Sequence, residues 1–115
     1  SGISDDVREL LASDSPQAAE AIDLFVYRAV RELGALIASI GGLDTLVFTA
    51  GIGERSAVIR ERIAQPFTWL GVDLDTTANA ANAPIISSPE SKVQVLALPT
   101  NEELVIAEAA SAFIA

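Results

Sequence analysis

The sequence predicts an α/β layer in which helices pack on a sheet, and three features of the chain indicate this class. A long segment with apolar residues at helical spacing precedes a short apolar strand. That strand leads through two glycines into a second helical pattern. Another apolar strand lies near the end of the chain and is followed by a further helical pattern. The predicted order α-α-β-α-β-β-α is typical of helices flanking a sheet.

The first two predicted elements are helices. Ser4 suits the N-cap of a short helix over residues 4–11, because acidic residues follow in its first turn. Pro16 suits the first turn of a second, longer helix, which should end at Gly41-Gly42. The apolar residues at spacings of three and four that predict this amphipathic helix are Ile22, Phe25, Val26, Ala29, Val30, Leu33, Leu36, Ile37 and Ile40.

A short buried strand and a helix are predicted in the middle of the chain. The apolar run over residues 43–49 indicates the strand. A helix over roughly residues 56–65 follows and should stop before Pro66, since proline cannot continue a helix. Residues 67–71 contain two aromatic side chains, and we expect this turn to pack on the preceding helix.

The last third of the chain is predicted to contain two strands and a terminal helix. Residues 75–83 fit either a weak helix or an exposed loop, and residues 85–87 fit a short strand. The β-branched and apolar run at 93–98 predicts another buried strand, which Pro99 ends. A terminal helix is predicted from residue 101 to about residue 112.

Composition narrows the classes of function. The chain has 115 residues, 50% of them hydrophobic, and a net charge of −9, as expected for one small globular domain without a nucleic-acid partner. No apolar run reaches the about 20 residues of a membrane span, and no signal-like start is present, so we expect a cytoplasmic protein without a membrane partner. The absence of histidine and cysteine excludes imidazole and thiolate chemistry within this chain. Because it begins at Ser1 and contains no methionine, we expect a piece of a longer protein.

The glycine turn Gly51-Ile52-Gly53 carries the strongest chemical signal. Glycines between a strand and a helix allow a phosphate or an adenine nucleotide to approach backbone N–H groups. The run Glu54-Arg55-Ser56 then opens a helix whose N-terminus favours anions. The pattern is neither a Walker A loop nor a complete GxGxxG motif. From the residues alone, a tight connection without a ligand explains it equally well.

Two further segments contain candidate ligands. Thr100 and Glu103 have capping-box spacing, which leaves Glu102 to point elsewhere from the start of the terminal helix. The Glu102 carboxylate can hold Mg²⁺ or a metal-bound water, or it can simply complement the helix dipole. Near the start of the chain, Asp6 and Arg8 follow small polar residues and suit either an adenosine contact or a surface ion pair.

Together, in this order, these segments resemble the acetate kinase family, to which propionate and butyrate kinases are close. The resemblance covers essentially the whole chain, and its Gly-Ile-Gly-Glu and Thr-Asn-Glu-Glu-Leu motifs are specific as a pair. The resembling segments are Ser1-Gly2-Ile3-Ser4, Asp6-Val7-Arg8, Val47-Phe48-Thr49-Ala50-Gly51-Ile52-Gly53-Glu54, Trp69-Leu70-Gly71-Val72, Ile86-Ser87, Ser91-Lys92-Val93 and Pro99-Thr100-Asn101-Glu102-Glu103-Leu104.

The resemblance implies a ribonuclease-H-like partial domain of the actin/Hsp70/sugar-kinase superfamily. Residues 1–115 would form the C-terminal part of the nucleotide-binding domain and end in the terminal helix. The implied reaction is the reversible, Mg²⁺-dependent transfer of a phosphoryl group from ATP to acetate, giving ADP and acetyl phosphate, as in acetyl-CoA biosynthesis. The family also implies a homodimer that pairs through this domain.

The resemblance assigns roles to nine residues. It places Asp6, Val7 and Arg8 on the adenosine side of the site, and it gives Glu102 the role of the Mg²⁺-associated glutamate. The residues implied to surround adenine, ribose and the α-phosphate are Gly51, Ile52, Gly53, Glu54 and Arg55, the last of which replaces an asparagine found in many members. It assigns no catalytic residue here, because the arginines and histidine that stabilise the transferring group belong to the preceding part of the family's chain.

Two alternatives remain open at the level of sequence. One is a propionate or butyrate kinase, since the acyl pocket is not part of this chain. The other is a non-catalytic nucleotide-binding or dimerisation module, with the long helix over residues 16–40 as its interaction surface.

Overall fold

A computed structural model describes residues 15–49 and 56–98, together with a strand at 111–114. The helices are α1 (Pro16–Ile40), α2 (Ala57–Ala64), a 3-10 helix (Gln65–Leu70) and α3 (Thr76–Ala80). The strands are β1 (Thr45–Phe48), β2 (Gln94–Ala97) and β3 (Ser111–Ile114). The predicted α/β class is confirmed. The predicted helix over residues 4–11 lies outside the described residues.

Both ends of α1 lie where the sequence predicts them. The Ser15 hydroxyl accepts a hydrogen bond from the Ala18 N–H at 3.1 Å, and Pro16 occupies the first turn. At the other end Gly41 has a φ of 84°, and its N–H donates to the Ile37 carbonyl at 2.9 Å. This left-handed residue ends the helix because glycine adopts the conformation without a steric cost.

The predicted apolar face of α1 is mostly confirmed. Its buried residues are Ala18, Ile22, Val26, Leu33 and Ile37. Leu36 is the exception, since 41% of its surface is exposed. The helix packs against β3 and α2, so its buried face covers one side of the domain.

The three described strands form a parallel sheet in the order β2-β1-β3. Thr45 pairs with Gln94 at one end of the β1–β2 ladder, and Phe48 pairs with Ala97 at the other. Leu46, Val47 and Phe48 are all fully buried, as expected for a central strand with both faces covered. Both predicted buried strands, at 43–49 and 93–98, therefore exist in slightly shorter form.

Helical structure continues past the predicted stop at Pro66. α2 ends at Ala64, but the next residues form the 3-10 helix, in which Pro66 occupies the first turn. Proline is tolerated there because the N–H groups of a first turn have no partner within the helix. Phe67 packs into the core, whereas Trp69 is 76% exposed, so the expected packing of this aromatic segment is correct for Phe67 only.

Local contacts determine the secondary structure of two segments for which the sequence prediction is ambiguous. In residues 75–83, Asp75 caps the short helix α3 by accepting a hydrogen bond from the Ala78 N–H at 3.0 Å. The strand predicted at 85–87 is not formed. Ile85 and Ser87 instead make isolated antiparallel bridges to Leu96 and Leu74.

The predicted terminal helix is wrong at its last two residues. Ser111 and Ala112 belong to β3, where they pair with Thr45 and Leu46 of β1. The ladder satisfies backbone groups of β1 that would otherwise be buried without partners, and this long-range requirement overrides the helical preference of the local sequence. Residues 101–110 of the predicted helix lie outside the described residues.

Gly34 offers a test of the packing between α1 and the 3-10 helix. A Cβ at this position would lie 3.9 Å from Cε1 of Phe67, an ordinary van der Waals distance. We expect Gly34→Ala to raise the free energy of unfolding by about 0.5–1 kcal/mol, since alanine loses less conformational entropy in a helix interior. Thermal unfolding would measure the change, and a lower melting temperature would contradict this account of the packing.

Candidate functional site

The candidate site is the edge of the sheet at which β1 and β2 end, here called the carboxyl edge and defined by Phe48, Thr49, Ala97 and Leu98. Phe48 and Ala97 pair at the end of the ladder, and both are buried. The Leu98 N–H donates to the Phe48 carbonyl at 2.9 Å, which continues the ladder beyond the last strand residue. The chain therefore leaves both strands at hydrogen-bonded neighbouring positions.

The predicted site residues follow this edge in sequence. The six residues from 50 to 55 connect Thr49 to Ser56 and contain the glycine turn. Glu102 comes four residues after Leu98. All of these predicted residues, including Asp6, Val7 and Arg8, lie outside the described residues, so their roles stay predictions.

The order of the strands is favourable for ligand binding at this edge. The chain passes from β1 to β2 on one side, while β3 lies on the other side of β1 and ends at the same edge. In open parallel sheets, ligands bind outside the carboxyl ends of the strands where successive connections diverge. The carboxyl end of β1 has this position in the described sheet.

Ser56 begins the helix that follows the glycine turn. Its hydroxyl accepts a hydrogen bond from the Ile59 N–H at 3.3 Å, and its carbonyl accepts one from the Arg60 N–H at 3.0 Å. This N-cap makes the first turn of α2 regular. The remaining N–H groups at such a helix start carry a partial positive charge, which favours an anion such as a phosphate.

A buried polar cluster that is not predicted from the sequence lies beside this helix start. Arg60 is fully buried, and its guanidinium donates to the side chain and carbonyl of Asn79 and to the side chain of Asn82. The available signal is weak. Arg60 lies one helical turn before the buried Ala64, so it shares the apolar face of α2, but periodicity alone does not show that an arginine is buried.

Two further findings concern the described residues only. Within the described ranges 15–49 and 56–98, no group of three acidic side chains is arranged to hold a metal ion. Among the helices that the structure describes, none is long and apolar enough to cross a membrane.

The parallel sheet with helices packed against it defines the chain as part of an α/β domain, and comparisons with known proteins narrow this class. A model of the acetokinase family matches residues 1–108. The acetate kinase of Rhodopseudomonas palustris strain TIE-1 is 61% identical over 109 residues, and that of Rickettsia akari is 56% identical over 114 residues. These alignments cover 93% and 99% of this chain.

Solved structures agree with the sequence relatives. The crystal structure of Porphyromonas gingivalis acetate kinase has a TM-score of 0.73 and 33% identity over 83% of this chain, which corresponds to 25% of that protein. A propionate kinase from Francisella tularensis has a TM-score of 0.70 and 32% identity over 85% of this chain and 25% of its own. The chain therefore belongs to the acetokinase family. Its predicted resemblance and its predicted fold class, a partial ribonuclease-H-like domain of the actin/Hsp70/sugar-kinase superfamily, are both confirmed.

The chain is short compared with its relatives. It spans 27% of the length of the Rhodopseudomonas protein and 30% of the Rickettsia protein.

Proposed function

We propose that this chain is part of an acetate kinase and forms the C-terminal part of its nucleotide-binding domain. The complete protein would transfer a phosphoryl group reversibly from ATP to acetate, giving ADP and acetyl phosphate, with Mg²⁺ as the cofactor. Membership of the acetokinase family and identities of 61% and 56% to acetate kinases support this proposal.

The observation that carries the proposal to specific residues is the geometry of the carboxyl edge. The hydrogen bond of 2.9 Å from the Leu98 N–H to the Phe48 carbonyl joins the last residue of β1, which precedes the glycine turn, to the last described residue before Glu102. Two segments that leave a sheet at adjacent positions can bind different parts of one ligand. We therefore assign the glycine turn to the nucleotide and Glu102 to the metal that accompanies its phosphates.

The residue types fit these roles. Gly51 and Gly53 lack side chains and would let a nucleotide approach the backbone closely, with Ile52, Glu54 and Arg55 completing this contact. Glu102 supplies a carboxylate, the kind of oxygen ligand through which proteins hold Mg²⁺, directly or through a bound water. When bound, Mg²⁺ would neutralise charge on the phosphate oxygens. Asp6-Val7-Arg8 would contact the adenosine.

The chain's own contribution to phosphoryl transfer would be binding and orientation. Such reactions require in-line positioning and neutralisation of charge on the phosphoryl oxygens, with little covalent chemistry from the protein. The chain has no histidine, so we place the histidine and arginines that stabilise the transferring group in another part of the complete protein.

Two other functions have specific support. The Francisella propionate kinase is similar to this chain, so propionate or butyrate is the alternative carboxylate. A dimerisation module is supported by α1, on which Leu24 and Tyr27 are 49% and 59% exposed. These two side chains are three residues apart on one face of the helix and could contribute to an interaction surface, which agrees with the expected homodimer.

The proposed function predicts which carboxylate the complete protein prefers. In a hydroxamate assay with ATP and Mg²⁺, the complete protein should form acetyl phosphate with a higher kcat/KM for acetate than for propionate or butyrate. A higher kcat/KM for propionate would show that propionate, and not acetate, is the preferred substrate.

The isolated chain provides the matching test. Residues 1–115, purified free of host acetate kinase, should form no acetyl phosphate in the same assay, because the transition-state groups are absent. Turnover by this piece would contradict the assignment. Calorimetric titration with ADP separates the remaining cases, since binding without turnover indicates a nucleotide-binding module and no binding indicates a structural piece.

A further inference from the structure

Arg60 is a buried cation to which the proposed function gives no role. Its side chain is fully buried in the first turn of α2. The Nε atom donates to Oδ1 of Asn79 at 2.7 Å, and Nη2 donates to the Asn79 carbonyl and to Oδ1 of Asn82, both at 2.7 Å. One guanidinium therefore connects α2 to α3 and to the turn that follows α3.

Asn79 completes the connection. It is 3% exposed, and its Nδ2 donates to the carbonyl of Ala57 at 2.9 Å. Ala57 is the first residue of α2 and directly follows the N-cap Ser56. The same asparagine thus accepts from Arg60 and holds the beginning of the helix, so the first turn of α2 is anchored at two points.

Stability alone is a poor reason for an arginine at this position. A cation in the first turn of a helix is unfavourable with respect to the helix dipole. Burial of a guanidinium also has a desolvation cost that a well-packed apolar side chain of similar size avoids. What arginine offers is a rigid, planar set of donors that can fix two neighbouring acceptors in one geometry. Its benefit here is therefore precise placement of the helix start.

We propose that Arg60 is a positioning residue for nucleotide binding. Through Asn79 and Asn82 it fixes the first turn of α2, and the proposed nucleotide contacts at residues 51–55 directly precede the N-cap Ser56 in the sequence. Arg60 thereby sets where the N–H groups at the start of α2 lie relative to a bound phosphate. This inference rests on the proposed function, because it takes residues 51–55 as nucleotide contacts.

The test compares three variants of the complete protein. We expect Arg60→Met to raise the KM for ATP about tenfold while the KM for acetate changes less than about twofold, because only the nucleotide side is misplaced. Asn82→Gly removes one acceptor and should raise the KM for ATP by about threefold. Asn82 has a φ of 53°, which glycine adopts freely, so this variant introduces no backbone strain.

Arg62→Met is the matched control on the same helix. Its side chain is 39% exposed and forms a surface ion pair with Asp23 at 2.6 Å. Loss of such a pair has little effect, so both KM values should stay at those of the wild type.

A purely structural role for Arg60 would give a different pattern. A folded Arg60→Met protein with an unchanged KM for ATP, or with equal increases in both KM values, would overturn the inference. If Arg60→Met does not fold, the same comparison of KM values in Asn82→Gly decides the question. If the wild-type protein forms no acetyl phosphate from ATP, the proposed function is overturned and this inference with it. If the wild type is active but the variants keep its KM for ATP, the inference alone is overturned.

Discussion

Replacement of Glu102 by glutamine is expected to lower the kcat of the complete protein by about a hundredfold and to shift its Mg²⁺ dependence to higher concentrations. Glutamine keeps the size of the side chain but removes the negative charge that would attract the cation or orient its bound water. Steady-state rates of acetyl phosphate formation over a series of Mg²⁺ concentrations would measure both effects.

Glu103→Gln provides the control for this prediction. Glu103 has capping-box spacing from Thr100, and glutamine can take the same capping position as glutamate. We therefore expect a near-wild-type kcat and an unchanged Mg²⁺ dependence. An unchanged Mg²⁺ dependence in Glu102→Gln itself would show that this carboxylate does not serve the metal.

The largest expected effect on stability is that of Gly71→Ala, which should lower the free energy of unfolding by about 2–5 kcal/mol. Gly71 has a φ of 98°, and an added Cβ would lie 2.6 Å from the Cβ of Lys92. Lys92 cannot move away easily, because its N–H donates to the Gly71 carbonyl at 2.8 Å. The substitution therefore combines a left-handed backbone conformation with a steric overlap. Chemical denaturation of the complete protein would measure the loss.

Gly41→Ala separates these two contributions. Gly41 also has a left-handed φ, 84°, but an added Cβ would have none of the described residues within 4 Å apart from its own chain neighbours. It should lose only the backbone part, about 1–2 kcal/mol. Equal losses in the two variants would mean that the contact with Lys92 contributes nothing to the requirement for glycine at residue 71.

The elements that could be predicted are those with signals in adjacent residues. The start and end of α1 follow from Ser15, Pro16 and Gly41, whose capping and turn preferences act over a few residues. β1 and β2 follow from short apolar runs. The prediction failed at β3, because Ser111 and Ala112 are strand residues only through their pairing with a strand more than 60 residues earlier.

The candidate site, too, could be predicted from the sequence only in part. Its residue types could be recognised from the sequence, because a glycine turn and a glutamate after a strand have spacings that are visible in the chain. The sequence could not show that both segments leave the sheet at the same edge, since this depends on the register that pairs Phe48 with Ala97. The role of Arg60 was equally hidden, because its acceptors lie 19 and 22 residues away.

The sequence by itself therefore determined the α/β class, the long helix, two strands, the acetokinase family and the residues proposed to bind the nucleotide and the metal. The tertiary structure alone decided the strand order β2-β1-β3, the adjacent exits from β1 and β2, and the burial of Arg60. The physical reason is the range of the interactions involved. Capping and periodicity act within a few residues, whereas strand partners and burial depend on contacts between distant parts of the chain.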